Sequence, residues 1–297
     1  MRYISLGLLT VLAAATLVSS CARVSTVGGC PIQAYANCQG KKLSNQKLSL
    51  IGADLSHANL KGVDLSGSNL KGADLSEADL TGANLAGVNL NMANLSGAVM
   101  SNANLTGAAL TQADFSDATL TGANFGERAN LSKAKMNQAN LDGAKFINAN
   151  LDGAQMRGVS LKNTEFTGAS LVKTIMTQAN LDGTKFTNST LSGVNLSEAE
   201  ISCTTFSGGK IDNIDLSKST VIGTVFAVAL DSAIKTDTKE CGVVIDGTYQ
   251  TPAGCTDTEL VAAAACQPSI CASLTTQDNC DDSSEQCKWS TDKCEKA

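Results

Sequence analysis

An all-β solenoid with four flat sides is the fold class this chain predicts, and three regularities predict it. A large apolar residue returns every five positions from Leu50 to Phe226, a period that neither a helix (3.6) nor a flat strand (2.0) explains. Phe recurs at 146, 166, 186, 206 and 226, and Met at 136, 156 and 176, so like side chains return every twenty residues. Residues two before each apolar centre are almost all Ala, Val, Ser or Thr, as crowded interior corners demand. Twenty residues are four pentapeptides, one per side, which stacks identical positions on one another. A column of one side-chain shape then fills the axis without voids.

The chain opens with Met1-Arg2-Tyr3 and an apolar run from Ile4 to Val18, too short to cross a bilayer but suited to a secretory signal. Residues 1–20 are therefore expected to be a signal peptide. Val18-Ser19-Ser20-Cys21 resembles a bacterial lipobox, which implies lipidation of Cys21; ordinary cleavage near Cys21 is the plainer reading. Ala22 is not the Asp that such lipoproteins associate with inner-membrane retention, so the resemblance implies the outer membrane of a Gram-negative cell, or otherwise secretion. Residues 21–47 read as a tether and N-terminal cap, because an open solenoid end exposes unpaired backbone groups.

Residues 48–228 form the rod. Its centres run Leu50, Leu55, Leu60 and onward to Phe125, slip by one residue at Gly126-Glu127-Arg128-Ala129-Asn130, and resume from Leu131. The slip reads as a bulge that bends the axis slightly. With Phe125 in the Phe column and Phe115 heading the Met column, the units make about nine coils, or roughly 43 Å at the spacing of neighbouring strands. Gly62, Gly67, Gly72 and Gly82, each two after a centre, suit turns that need positive φ. Each buried Leu-type centre contributes about 1.5–3 kcal/mol before entropy, and a single disulfide about 2–4 kcal/mol. The rod should therefore stand without its cysteines.

The units Ala53-Asp54-Leu55, Ala58-Asn59-Leu60 and their successors through residue 200 resemble the pentapeptide-repeat family, consensus A(D/N)LXX. That resemblance implies a right-handed quadrilateral β-helix with central and minus-two residues pointing inward. The pattern loosens where Thr184, Ser189, Thr204, Gly209, Ile214 and Thr224 replace the inward Ala.

Beyond about residue 229 the beat stops, and residues 229–297 read as a Cys-rich region without an obvious core. Residues 229–250 are candidates to cover the rod's end, and one short helix is expected from Asp257 to Cys266, started by Thr256 or Asp257. Of eleven cysteines, assigning Cys21 to lipid leaves ten as disulfide candidates: Cys30, Cys38, Cys203, Cys241, Cys255, Cys266, Cys271, Cys280, Cys287 and Cys294. Cys30 and Cys38 flank a short Pro-containing loop and are expected to close it. Parity suggests Cys203 with Cys241. No paired C-x-x-C spacing supports a metal site, and Cys287-Lys288-Trp289 faintly resembles small extracellular modules.

Formal charge is −6, and it is uneven: residues 50–125 are net −5, residues 126–230 net +1, and residues 231–297 net −7. The acidic first half of the rod could mimic the charge of a nucleic-acid backbone, but Asp that alternates with Asn at the consensus site and faces solvent is the plainer account. Lys133, Lys135, Lys145, Arg157, Lys162, Lys173 and Lys185 are candidates for a basic strip facing glycans or lipid head groups. No phosphate loop, Gly-x-Ser-x-Gly or His-rich metal site is present, and the single histidine, His57, lies at an outward corner, so neither catalysis, a cofactor nor a metal is expected. The functional expectation is a non-catalytic, exported, lipid-anchored rod that presents its faces or tail to an envelope or extracellular protein or glycan. The alternative, implied by resemblance to family members that protect gyrase from quinolones, is a DNA mimic that binds a type II topoisomerase; the export signal argues against it.

Overall fold

The computed structural model describes residues 26–42, 49–227, 239–241, 243–245, 248–250, 288–290 and 293–295, the last five stretches as backbone only. The expected signal peptide, Cys21 and the Asp257–Cys266 helix lie outside the described residues. Among the described residues the structure is all-β, with no helix.

Each pentapeptide makes one short side and one corner, and its polar backbone groups are satisfied by the coils above and below. In the unit centred on Leu55, the Leu55 N–H donates to Asp74 O (2.7 Å), the Asp74 N–H to Ala53 O (2.8 Å) and the His57 N–H to Ser76 O (2.8 Å). The corner closes with the Ala58 N–H on Leu55 O at 3.1 Å, a turn whose third residue has positive φ. Parallel bridges repeat this at a step of twenty, as in Asp54↔Asp74↔Asn94↔Asp114 and Asn59↔Asp79↔Val99↔Thr119. From Glu165 onward, bridges widen into three-residue strands, among them Glu165–Thr167, Lys185–Thr187, Thr205–Ser207 and Val225–Ala227, all parallel.

The core is the axis of this coil. Leu, Met and Phe centres are buried from Leu50 to Phe226, and so are nearly all the small residues two before them. Phe125, Phe146, Phe166, Phe186, Phe206 and Phe226 form one continuous stack with centroids 4.6–4.9 Å apart and planes within 7° of parallel. That separation equals the coil rise and lies in the favourable range for offset aromatic stacking. Phe115 sits at the head of the Met136–Met156–Met176 column and meets Phe125 edge-on.

Where Thr replaces the inward Ala, it remains inside. The hydroxyls of Thr164, Thr184, Thr204 and Thr224 donate to the carbonyls of Leu141, Leu161, Leu181 and Ile201, each twenty-three residues back, so the interior hydroxyls pin successive coils together. Ser68 is the counter-case: its Oγ is buried without a hydrogen-bond partner. Ser68→Ala restores the consensus residue and should stabilise the protein by about 1 kcal/mol, read as a raised denaturant midpoint with an unchanged slope.

Gly209 departs from the inward assignment. It is exposed, and Gly208 and Gly209 both adopt positive φ (62° and 77°), which brings the chain against the backbone of Ser189. Only a residue without Cβ fits so close an approach, so this corner turns out rather than in. The one-residue slip also differs from a strand bulge. Glu127 and Arg128 both take positive φ (53° and 67°), and the extra residue is absorbed in the corner. The ladders on either side stay paired, with Asn124↔Lys145 and Ala109↔Asn130 stepping by twenty-one.

The N-terminal segment winds onto the rod. Thr26–Val27 pairs antiparallel with Cys30–Pro31 across Gly28-Gly29, both at positive φ, the requirement of a tight primed turn. Ala36-Asn37-Cys38-Gln39-Gly40 is then a further pentapeptide with Cys as its centre: Ala36 and Cys38 are buried, and the Cys38 N–H donates to Asn59 O at 2.8 Å. The expected Cys30–Cys38 disulfide is present, Cα atoms 5.0 Å apart, at the mouth of the core. At the other end, Lys239–Cys241 continues the ladder parallel to Thr220–Ile222, and Val243–Ile245 runs parallel to Val225–Ala227. Thr248–Gln250 then pairs antiparallel with Val243–Ile245, opposing Ile245 to Thr248. Lys288–Ser290 pairs antiparallel with Lys293–Glu295.

Candidate functional surface

With the core filled by its own side chains, the surface open to other molecules is the outer lattice of residues just before and after each centre. On the side that begins Asp54, Asp74, Asn94, Asp114, each acceptor takes the N–H and hydroxyl of the serine two residues on: the Ser56, Ser76, Ser96 and Ser116 hydroxyls donate at 2.7, 2.7, 2.8 and 2.6 Å. Side-chain amides stitch the coils as well, Asn84 Nδ2 donating to Asp64 Oδ1 and Asn94 Nδ2 to Asp74 Oδ1, both at 3.1 Å. The Asp/Asn of the consensus thus closes its own corner, a structural duty that precedes any mimicry of phosphate.

These bonds lower carboxyl pKa values. For Asp54 the Ser56 hydroxyl is the main cause, followed by the Ser56 N–H. For Asp79 and Asp114 burial pulls upward most strongly. It is outweighed at Asp79 by the Thr81 hydroxyl with Lys61, and at Asp114 by the Ser116 hydroxyl and N–H with Lys135. Asp212 is held down by Lys210, then Ser192. A depressed folded-state value stabilises the fold above the unfolded carboxyl value of about 3.9, and the contribution is lost as pH falls through the lower folded values. Melting temperature should therefore be flat with respect to these groups from pH 7 to about 5 and fall below about 4. Asp79→Asn with Asp114→Asn should shallow that acid limb.

The candidate basic strip does not assemble. Lys135 lies on the Asp114 ladder and pairs with Asp114 at 3.4 Å, while Lys145 and Lys185 lie on another ladder with Glu165 between them. Arg157 donates through Nε to Gln178 Oε1, the Lys162 N–H donates to Asp142, and Lys133 and Lys173 lean their stems toward Gly153 and Gly193. These cations are spread over all four sides. A corner pattern that the sequence reading missed explains several of them: a polar residue two after one centre reaches over the glycine of the next coil. Asn102 does so over Gly122 and Asn163 over Gly183, so alternation of a side chain with Gly down a corner was the available signal.

His57 sits at its expected outward corner with φ 56°, its ring stacked 4.6 Å under Tyr35 and its Nδ1 3.1 Å from Glu77 Oε2. Tyr35, missed in the sequence, docks the N-terminal turn onto the first full coil through this contact. Among the described residues no group of three metal-ligating side chains occurs, and no helix is long and apolar enough to cross a membrane. Cys203 is disulfide-bonded. Its partner, and the side chains of Cys241, Cys255, Cys266, Cys271, Cys280, Cys287 and Cys294, lie outside the described residues, so the suggested Cys203–Cys241 pairing does too.

Among solved structures, HetL, a pentapeptide repeat protein involved in heterocyst differentiation regulation from the cyanobacterium Nostoc, is 28% identical over 84% of this chain and 100% of its own, with a TM-score of 0.40. QnrB1, a plasmid-mediated fluoroquinolone resistance protein, is 18% identical over 71% of this chain and 89% of its own, with a TM-score of 0.37. A pentapeptide repeat protein of the Arabidopsis thaliana thylakoid lumen is 35% identical over 35% of this chain and 69% of its own, with a TM-score of 0.20. No curated protein matches the chain. A family model described as pentapeptide repeats matches overlapping stretches from residue 49 to residue 217, more than half of the sequence and nearly all of the rod. With its five-residue unit, twenty-residue ladder and axial Phe column, this chain belongs to the pentapeptide-repeat family.

Proposed function

We propose that the protein is an exported, lipid-anchored, non-catalytic rod of the cell envelope that binds a protein or glycan partner through its outer lattice or its Cys-rich tail. The observation that carries this reading is the buried Cys30–Cys38 disulfide at the mouth of the core, since such bonds persist in oxidising compartments. The apolar leader ending Val18-Ser19-Ser20-Cys21 supports it and supplies the lipid acceptor. Among the described residues the rod's axis is filled by its own buried side chains, which supports a binding role over catalysis. The test is metabolic labelling with palmitate: the wild-type chain should incorporate label and sediment with membranes, and Cys21→Ser should do neither. An unlabelled, cytosolic wild-type protein would end this reading.

A second reading, a DNA-mimicking topoisomerase binder, draws on the carboxylates of Asp54, Asp64, Asp74, Asp79 and Asp114 along the first half of the rod. It predicts that the purified protein alters supercoiling by a type II topoisomerase, and no change in that assay removes it.

A further inference from the structure

We propose that the N-terminal end of the rod docks on an anionic bilayer surface, so that the coil axis stands up from the membrane with its acidic coils held clear of it. This goes beyond the binding role above and does not rest on acylation of Cys21.

Charge is divided along the axis. Residues 22–71 carry six Lys/Arg and two Asp/Glu, net +4, whereas residues 72–127 carry six Asp/Glu and no Lys/Arg, net −6. The ladder converts that order into height, because each later coil sits about 4.8 Å farther from the N-terminal end. Tyr35 to Lys42 form the outermost described coil. The Tyr35 N–H donates to Ser56 O and the Cys38 N–H to Asn59 O, both at 2.8 Å, and the Lys42 backbone bridges that of Asp64. Lys41 and Lys42 are exposed, and among the described residues neither joins a carboxylate, whereas Lys61 pairs with Asp79 at 3.0 Å. The Lys41 ammonium lies over the turn of the Thr26–Pro31 hairpin, 3.8 Å from where a Cβ on Gly29 would stand.

The same end carries the two most exposed large hydrophobic side chains among the described residues, Tyr35 at 73% and Ile51 at 60%. Tyr35 rests one ring face on His57 at 4.6 Å and leaves most of its surface uncovered. An amphipathic ring beside lysines suits the headgroup layer, where tyrosine concentrates. Lys71, one coil in from Ile51 on the same side, can extend its ammonium toward that layer along a flexible stem. Asp54 and Asp64, the carboxylates nearest this end, are engaged within the lattice by the Ser56 hydroxyl (2.7 Å) and the Asn84 amide (3.1 Å). The unbroken acidic run starts at Asp74, so laying the rod flat would press it against lipid phosphates. An anionic surface therefore attracts the tip and repels the flank. Each lysine at such a surface is worth roughly fivefold in partitioning.

The test uses residues 21–297 with Cys21→Ser, so that no acyl chain takes part. The protein should co-sediment with vesicles of phosphatidylcholine and phosphatidylglycerol at about two to one, stay free of phosphatidylcholine alone, and be released by added salt. Lys41→Gln with Lys42→Gln should weaken partitioning roughly twentyfold and leave the denaturant midpoint unchanged. Tyr35→Trp should add blue-shifted emission on the anionic vesicles above the background of Trp289, while Ile147→Trp, exposed midway along the rod, should not. No binding to anionic vesicles, equal binding to neutral ones, full retention by the double variant, or equal shifts at positions 35 and 147 each overturn the proposal. None of these outcomes bears on palmitate incorporation at Cys21, so docking and anchoring fail separately.

Discussion

Phe166→Ala is expected to cost about 3–5 kcal/mol, the range for removing a large aromatic from a core that cannot collapse around the gap. Phe166 is fully buried between Phe146 at 4.8 Å and Phe186 at 4.9 Å, both nearly parallel to it. The strands that carry these rings are fixed at the coil rise by backbone ladders, so neighbouring rings cannot slide together to refill the axis. Because each coil touches only its neighbours, the loss also weakens communication between the two halves of the rod. Denaturant unfolding should show a lower midpoint together with a broadened or divided transition. Phe166→Leu is the control: Leu105 sits in the same column above Phe125, so the axis already accepts Leu, and the cost should be less than half as large. A loss below about 1 kcal/mol for Phe166→Ala would mean that the Phe stack is not what fills the core.

The second large effect separates two glycines that both take positive φ. Gly209→Ala should cost roughly 3 kcal/mol, because its Cβ would collide with the backbone O and N of Ser189 in addition to the strain of φ 77°. At Gly62, φ is 60° but a Cβ would meet open space, so Gly62→Ala should cost only about 1 kcal/mol. Amide exchange should localise the Gly209 defect to the coils around residues 189–212. Equal costs at the two positions would refute the close approach.

The corner residues show how legible the outer surface was. Glycine two after a centre announced the positive φ of the turn, yet His57, Glu77, Met92 and Lys133 take the same conformation without glycine. Ladder bonds on both flanks impose it, and a turn propensity cannot register bonds to residues twenty positions away. Likewise the basic residues from Lys133 to Lys185 looked like a strip because they are close in sequence. A chain that turns a corner every five residues sends neighbours to different sides, so nearness along the chain says nothing about a shared face. Ala36-Asn37-Cys38 was a readable repeat unit that went unread because Cys stood where Leu was expected, whereas its burial and its bond to Asn59 mark it as a side of the coil.

What residue order determined by itself was the coil: the five-residue beat sets the sides, and the twenty-residue return of Phe and Met sets the stacking. Both are local periodic patterns that bury apolar surface in only one way. The tertiary structure alone decided which hydroxyl bonds which carbonyl, that Gly208-Gly209 turns outward, that the slip is absorbed at a corner, and that strands Lys239–Cys241 and Val243–Ile245 extend the ladder. Those outcomes depend on contacts between residues about twenty apart or on the exact approach of two backbones. Such distances exist only once the coils have closed on one another.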